Sequence, residues 1–542
     1  MKQYIFLTLS LLFSTQILFA QEITIPGESE KNEGIILKWN YNEAIDSAVA
    51  QIASIISTDD KVWILCDTNN AYTVSAIQSQ LSMRGANLSN ITFIDGTAET
   101  PWLRDFGPEA GYAVDSLGAT RHFVDNQYNP VQYPTADFIP VELASYFNFD
   151  YAAMPLNFEF GNILLDGIGR GFVSDRVLAQ NPGMSSNIAI QLLYTKLGLN
   201  QIIIFPSIPE CGGGEWAEIS RLLKIVDAET VLVSQFPQSV PYYQQVEMIA
   251  DSLANTPNDF GFNFKVFRLP VAAGANGEYS VTSNGEIRSY TSSILFNNKV
   301  IIPSYNSAND AVALNVYKQA FPGYHIYQVP SQVLTSMHGS LYRLAVNVPQ
   351  PKLFRIRHQK FSGMLPYESE IWMNALVQST DPLDSIQIFY RIHPSATYQV
   401  VNTYGCCGGN SASITGFNIS DTVSYYLKAY GGGNAYPLPV AAPEVTYTFW
   451  FDPFTGLKSS TSDGNISIFP NPASDRIFVK GIPVTNSESR YQIMNLQGIL
   501  IAEDKIPGEQ PIRLPESMVN GFYLVKIITS GETHICKLYL QH

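Results

Sequence analysis

A carboxylate set among aromatic rings is the first chemical feature of this 542-residue chain: Asp105, in the run Thr100-Pro101-Trp102-Leu103-Arg104-Asp105-Phe106-Gly107-Pro108. The run follows an apolar, β-branched stretch over 91–94 and the turn signal Asp95-Gly96. Burying a carboxylate under rings is costly unless a cation or hydrogen-bond donors meet it. Asp105 is therefore either paired within the protein, with Arg104 as the adjacent cation, or placed to receive a cationic ligand. Asp166, Glu215 and Glu218 could add negative charge to the same pocket, and two carboxylates can fork a guanidinium. Each has a plainer reading: Asp166 precedes Gly167 as a turn former, and Glu215 and Glu218 fit solvated charges on a loop or helix start. The candidate nucleophiles are Cys66, Cys211, Cys406, Cys407 and Cys536. Cys66 ends an apolar run and reads as buried and inert. Cys211 opens the Gly-rich run Cys211-Gly212-Gly213-Gly214-Glu215, which could aim a thiol, although such a cysteine is more commonly buried or bridged. Cys406-Cys407, flanked by glycines, fits either a vicinal bridge or two separate partners. No Cys/His cluster has zinc-ligand spacing, so neither a metal nor a cofactor is expected.

The elements that must position these groups follow from length, composition and periodicity. A chain this long holds three or four units, and 46% hydrophobic with 15% charged residues indicates packed globular structure. The net charge of −15 speaks against a nucleic-acid partner, which would need basic groups to displace counterions. Residues 1–20 combine one Lys with an apolar run and a small residue before Gln21, the pattern of a secretory signal peptide. No later stretch is long and apolar enough to be a transmembrane segment. In an exported protein the odd cysteine count leaves at least one thiol free or paired between chains. Over 21–351, strands expected at 35–37, 62–65, 91–94, 224–226, 231–233, 264–267 and 325–329 alternate with helices at 41–57, 71–83, 241–254 and 310–320. A hairpin at 294–302 turns on Asn297-Asn298. Repeated ββαβ-type units of this length indicate pseudo-symmetric blades around a central site. Over 352–453 the period becomes two, as in an immunoglobulin-like β-sandwich. Residues 454–464 read as a Ser/Thr/Gly linker, and 465–542 as a small C-terminal β-sandwich.

The pattern W-x-R-D-x-G-P carried by Trp102, Arg104, Asp105, Gly107 and Pro108 closely resembles the substrate loop of the agmatine and bacterial peptidylarginine deiminases. In that family the equivalent aspartate grips a guanidinium. Glu28-Ser29-Glu30-Lys31-Asn32-Glu33-Gly34 stands where the family has Trp-Glu-Pro, with Ser29 replacing the Trp. Phe160-Gly161-Asn162 leading to Asp166-Gly167 resembles the Gly-Gly-Asn…Asp-Gly loop. Ala320-Phe321-Pro322-Gly323-Tyr324 matches the Met-Pro-Gly-Tyr run. The resemblance implies a five-bladed pseudo-symmetric α/β-propeller over 21–351. It also implies hydrolysis of a guanidino C–N bond, which needs a thiolate, an acid–base group and carboxylates that hold the planar cation.

Carried over residue by residue, the resemblance leaves that machinery incomplete. Asp105 keeps the loop aspartate. The His-x-Asp motif falls on Glu218-Ile219-Ser220, the Asn of Thr-Asn-Ser on Ser292, and the Cys of His-Cys on Gly339 after His338. Losing a covalent nucleophile removes roughly 5 kcal/mol or more of transition-state stabilisation. The expectation is an impaired deiminase that retains a pocket for a small guanidine compound or an arginine side chain, with Trp102, Asp105, Asn162, Asp166, Glu218 and His338 as binding residues. An active deiminase with a relocated thiol such as Cys211, and a surface scaffold or adhesion protein, are the competing readings. His122 and His325 lie in strand-like runs without an evident partner. Finally, Ile466-Ser467-Ile468-Phe469-Pro470-Asn471-Pro472-Ala473, the stretch over 491–498 and Asn520-Gly521-Phe522-Tyr523 closely resemble the C-terminal sorting domain of type IX secretion. That resemblance implies the secretion machinery as a partner, and a secreted or surface-attached protein.

Overall fold

A computed structural model describes residues 22–540 except 117, 130, 209–217, 280–285, 407–408, 452–466, 471–472, 482–488, 496–499, 507–509, 516, 519–520 and 530–532. The proposed signal peptide, the linker, Cys211, Glu215, Cys407 and part of the Pro-Asn-Pro-Ala run therefore lie outside the described residues. The chain forms two compact units: Met1–Phe361, Glu370–Thr415 and Val423–Thr448 make the first, and Ser362–Ser369, Gly416–Thr422 and Phe449–His542 the second.

Mixed α/β structure fills most of the first unit, as five small sheets built to one plan. Each contains an antiparallel pair, a hairpin in the first four, and a third strand then joins parallel to the second of the pair. Sheet one pairs Glu109–Asp115 with Gly118–Gln127 and adds Asp150–Asn157. Sheet two pairs Ile163–Leu165 with Arg170–Ser174 and adds Gln201–Phe205. Sheet three pairs Leu223–Asp227 with Thr230–Gln235 and adds Lys265–Ala272. Sheet four pairs Ile294–Phe296 with Lys299–Ser304 and adds His325–Pro330. Sheet five brings the two ends of this region together, pairing Ala345–Pro349 with Asn32–Lys38 and adding Lys61–Cys66 and Ile91–Asp95 in parallel.

A parallel third strand needs a crossover, and a helix supplies it in every case: Pro134–Phe147, Ser186–Leu197, Tyr243–Ala254, Asn309–Ala320 and Glu43–Ile56. Glu43–Ile56 shows why these residues are helical. Asn42 caps it by accepting from the amides of Ala44 and Ile45, and its buried face of Ile45, Val49, Ile52 and Ile56 packs on Ile35, Leu37, Val62 and Ile64. Each such side chain, fully buried, contributes about 1.5–3 kcal/mol.

The feature that positions the site is the segment entering each antiparallel pair. Short helical turns at Leu103–Phe106, Phe160–Asn162, Ile219–Arg221 and Tyr342–Leu344 precede sheets one, two, three and five, and Thr291-Ser292-Ser293 precedes sheet four. The turn at Leu103–Phe106 packs against those at Phe160–Asn162 and Tyr342–Leu344, and Phe160–Asn162 packs against Ile219–Arg221.

The remainder of the first unit is antiparallel. Phe354–His358, Glu370–Ser379, Gly409–Thr415 and Tyr404–Cys406 form one sheet, and Leu383–Ile392 pairs with both Gln399–Asn402 and Thr422–Gly431. In the second unit, Arg490–Met494 lies between Leu500–Lys505 and Gly521–Ile528, with Thr533–Leu540 beyond, over a core that includes Ile477, Ile493, Val525, Ile527 and Leu538. Among the described residues no helix is long and apolar enough to cross a membrane.

Candidate functional site

Asp105 sits on the turn Leu103–Phe106 and is fully buried. The adjacent Arg104 does not pair with it, contrary to the simplest reading of the Arg-Asp dipeptide. Arg104 Nε donates to the Tyr342 carbonyl (3.3 Å), its guanidinium lies 4.2 Å over the Tyr342 ring, and its NH1 is 3.8 Å from Glu109. The backbone turn sends the two neighbouring side chains in different directions.

The cation on Asp105 is Arg343. Its Nε donates to Asp105 Oδ1 (2.7 Å) and Oδ2 (3.0 Å), and its NH2 also donates to Oδ2. Arg343 Nε is 3.2 Å from Glu218 Oε1, NH1 donates to the His338 carbonyl (2.9 Å), and the guanidinium stands 5.2 Å from the Trp102 ring. Asp105, Glu218 and Arg343 all have side-chain exposure of 0%. A second arginine, Arg221, donates from NH2 to the same His338 carbonyl (2.8 Å) and lies 3.8 Å from Glu218 Oε2. Two carboxylates thus face two guanidiniums in a buried site. Against the cost of burial, Asp105 and Glu218 hold Arg343 well above the ordinary guanidinium range. Burial pushes the Asp105 carboxyl up, and Arg343 pulls it back.

At the position expected for the nucleophile, Gly339 lies directly under the Trp102 indole. A Cβ there would stand under 3.0 Å from three ring atoms, so the ring fills the space a side chain would occupy. His338 has φ 67°, a conformation that costs a non-glycine residue about 1–2 kcal/mol, and its carbonyl accepts from both arginines. Its imidazole is pushed down to about 3 by burial and by the charges of Arg221 and Arg343.

The hydroxyl replacements join the cluster as hydrogen-bonding groups. Ser220 Oγ donates to Glu218 Oε2 (3.3 Å), and Ser292 Oγ and Thr291 Oγ1 donate to the Ser220 carbonyl (3.4 and 3.0 Å). Gly161 lets Glu218 come close: a Cβ there would be 2.9 Å from the Glu218 carboxylate. Asn162 is buried and donates from Nδ2 to Glu159 Oε2 (3.0 Å).

Asp166 does not join this cluster. Its Oδ1 accepts from the amides of Ile168 and Arg170, both at 2.9 Å, the turn role that Asp-Gly chemistry favours. It lines a different cavity of about 710 Å³, shared with Asp227, Glu229, Arg355, Lys360 and Tyr436. Cys66 is buried at the end of its strand, and burial pushes its thiol up to about 11, as expected of an inert cysteine. His122 is buried, and His325 is exposed, 4.0 Å from Glu444. No group of three or more His, Cys, Asp and Glu among the described residues could hold a metal.

Sequence reasoning missed Arg343, Arg221 and Glu159. Glu159 is a buried carboxylate that accepts from Asn162 and Gln180, with Arg176 at 3.6 Å. A signal for the arginines exists: each stands just ahead of a run that becomes a buried strand, where a fixed cation requires a buried anion. Nearby, Lys224 repeats the arrangement, donating to Glu28 (2.5 Å) and to the Ser293 carbonyl (2.9 Å).

Comparisons with known proteins agree with this fold. An agmatine deiminase of Pseudomonas fluorescens is 23% identical over 309 residues, spanning 52% of this chain and 82% of that protein. The agmatine deiminase of Enterococcus faecalis superposes with a TM-score of 0.52 at 19% identity, covering 61% of this chain and 96% of that one. A C. jejuni agmatine deiminase with substrate bound superposes at 0.51 and 19% identity, covering 61% and 97%. At such identities the structural likeness speaks for the fold alone. The profile of the Porphyromonas-type peptidyl-arginine deiminases matches residues 24–349, and that of the secretion system C-terminal sorting domain matches 467–541. The chain therefore belongs to the Porphyromonas-type peptidyl-arginine deiminase family and ends in a type IX sorting domain, which implies a secreted or cell-surface location.

Proposed function

We propose that this protein is an exported deiminase-family member that does not hydrolyse guanidines, its central guanidinium seat being filled by its own Arg343. The observation that carries this reading is the stacking of Trp102 on Gly339. Hydrolysis of a guanidinium needs a thiolate at the central carbon, and the position that would supply it has neither a sulfur nor room for one. Further support comes from the complete burial of Asp105 and Glu218 against Arg343, and from a His338 ring too weakly basic to carry a proton to the leaving ammonia. An external agmatine or arginine side chain would have to displace a guanidinium already bonded on several sides.

In the same reading the five sheets are the blades of a five-bladed α/β-propeller, residues 352–453 an immunoglobulin-like module, and residues 1–20 a leader removed on export. The partner at the C-terminal end is the type IX machinery. The test is incubation of the purified protein with agmatine and with an arginine-containing peptide, measuring ammonia and ureido product, alongside calorimetry with both compounds. Neither product nor binding heat is expected. Turnover, above all turnover abolished by Cys211→Ala, would overturn the proposal.

A further inference from the structure

Within the reading just given, we infer that the closed site is still a receptor selective for a guanidinium, with Arg343 as its internal ligand and as a clasp between sheets. Three features of the seat carry this. It is planar and forked: Asp105 receives Nε and NH2, and the His338 carbonyl receives NH1. Glu218 stands 3.2 Å from Nε, and the Trp102 ring lies 5.2 Å from the guanidinium. A guanidinium offers five N–H donors in a fixed plane, whereas an ammonium is a compact point charge that cannot reach a fork and a carbonyl together. The seat is also closed to bulk solvent, with Asp105, Glu218 and Arg343 all fully buried.

The third feature is connectivity. Asp105 enters sheet one, Glu218 enters sheet three, and Arg343 enters sheet five, whose strands Ala345–Pro349 and Asn32–Lys38 join the two ends of this region. Asp105 and Arg343 are 238 residues apart in sequence. One guanidinium therefore ties together three segments that the chain order keeps far apart. The groups that elsewhere would seat a substrate cation here seat a structural one, and the selectivity of the seat is what makes the tie specific.

The experiment removes the internal ligand and offers it back in solution. Arg343→Ala in the full chain is compared with wild type in thermal unfolding, in buffer, in about 10 mM N-ethylguanidinium chloride and in matched ethylammonium chloride. The variant is expected to melt roughly 5–10 °C below wild type. N-ethylguanidinium is expected to raise its midpoint, ethylammonium to leave it unchanged, and wild type to respond to neither. A variant recovered from refolding only when N-ethylguanidinium is present supports the inference equally. Arg343→Lys is expected to melt with Arg343→Ala rather than with wild type. Equal responses to the two cations, no response, or an Arg343→Ala chain that folds under none of these conditions would overturn it. Turnover of agmatine by wild type would overturn catalytic silence alone, because the midpoint readout does not depend on hydrolysis.

Discussion

Restoring the missing thiol by Gly339→Cys should destabilise the protein and leave it inactive, and the reason is local. A Cβ at 339 would lie under 3.0 Å from three atoms of the Trp102 indole, against an ordinary contact of 3.4–4 Å. Trp102 is 6% exposed and packs in the core with Leu334 and Leu341, so the ring cannot swing into solvent without vacating that core. Overpacking of this kind costs about 1–3 kcal/mol, whereas removing a buried Trp side chain outright by Trp102→Ala costs about 3–5 kcal/mol. In the Trp102→Ala background the added Sγ meets no ring, so the double variant should cost about 1–3 kcal/mol less than the sum of the singles. The lost contact between Trp102 and Arg343 is common to the single and the double Trp102 variants and cancels in the cycle. Urea unfolding of the four proteins, with midpoints and slopes compared, gives the coupling. Costs that add to within about 0.5 kcal/mol would refute the placement of the indole over Gly339.

Two further outcomes follow from the buried charges. Asp105→Asn should destabilise by about 3–5 kcal/mol, because it leaves the fully buried Arg343 with Glu218 as its nearer carboxylate; a loss under 1 kcal/mol in urea unfolding would show that the pair is not formed. Asp125 is pushed up to about 7 by burial, against the hydrogen bond from Tyr151. Its folded value lies above the unfolded one, so its contribution is full below about pH 4 and is lost as pH rises toward 7. Melting curves of wild type and Asp125→Asn should therefore diverge in favour of the variant across that window, and parallel curves would exclude the effect.

Much of the fold was legible in the sequence, and the reason is periodicity. The helix expected at 71–83 is observed as Ala71–Met83, the hairpin at 294–302 as Ile294–Phe296 and Lys299–Ser304, and the helix at 310–320 as Asn309–Ala320. Asn70 caps the first by accepting from the Thr73 amide, Asn297 turns the hairpin with φ 52°, and Asn309–Ala320, without a side-chain cap, is marked by the helical spacing of its buried Ala313 and Tyr317. The stretch from Glu109 to Phe205, which forms sheets one and two, gave no such signal. Its strand Gly118–Gln127 mixes polar and apolar residues, and its helix Pro134–Phe147 contains Pro140 in defiance of helix propensity. There tertiary packing decides: Ala136, Ile139 and Leu143 are buried against Phe123 and Phe149. In the site, Asp105, Glu218, Ser220, Ser292, His338 and Gly339 do converge. Asp166 leads elsewhere, because its side chain is used by its own turn, while Asn162, on a turn that packs against Leu103–Phe106 and Ile219–Arg221, gives its amide to Glu159. Arg343 was illegible because motif matching asks which residues react, and the answer here is a residue that neutralises, reaching across 238 positions of chain.

The replacements in the centre are coupled by charge, and that coupling explains why they occur together. Glu218 places a second buried carboxylate beside Asp105, and its charge adds to the burial that pushes the Asp105 carboxyl up. Two such anions cannot stay in a buried core without cations, and Arg343 and Arg221 supply two. The arginines in turn need an acceptor between them, which the His338 carbonyl provides by adopting φ 67°. That backbone turn brings Gly339 beneath Trp102, whose ring covers the cluster on the side where a thiol would stand. Seen this way, the absent sulfur is one part of a consistent set. With Arg343 in the seat a thiol would have no carbon to attack, and with the indole over Gly339 it would have no space. On the proposed reading, the geometry that would silence the chemistry is the same one by which Arg343 bridges the segments entering three of the five sheets.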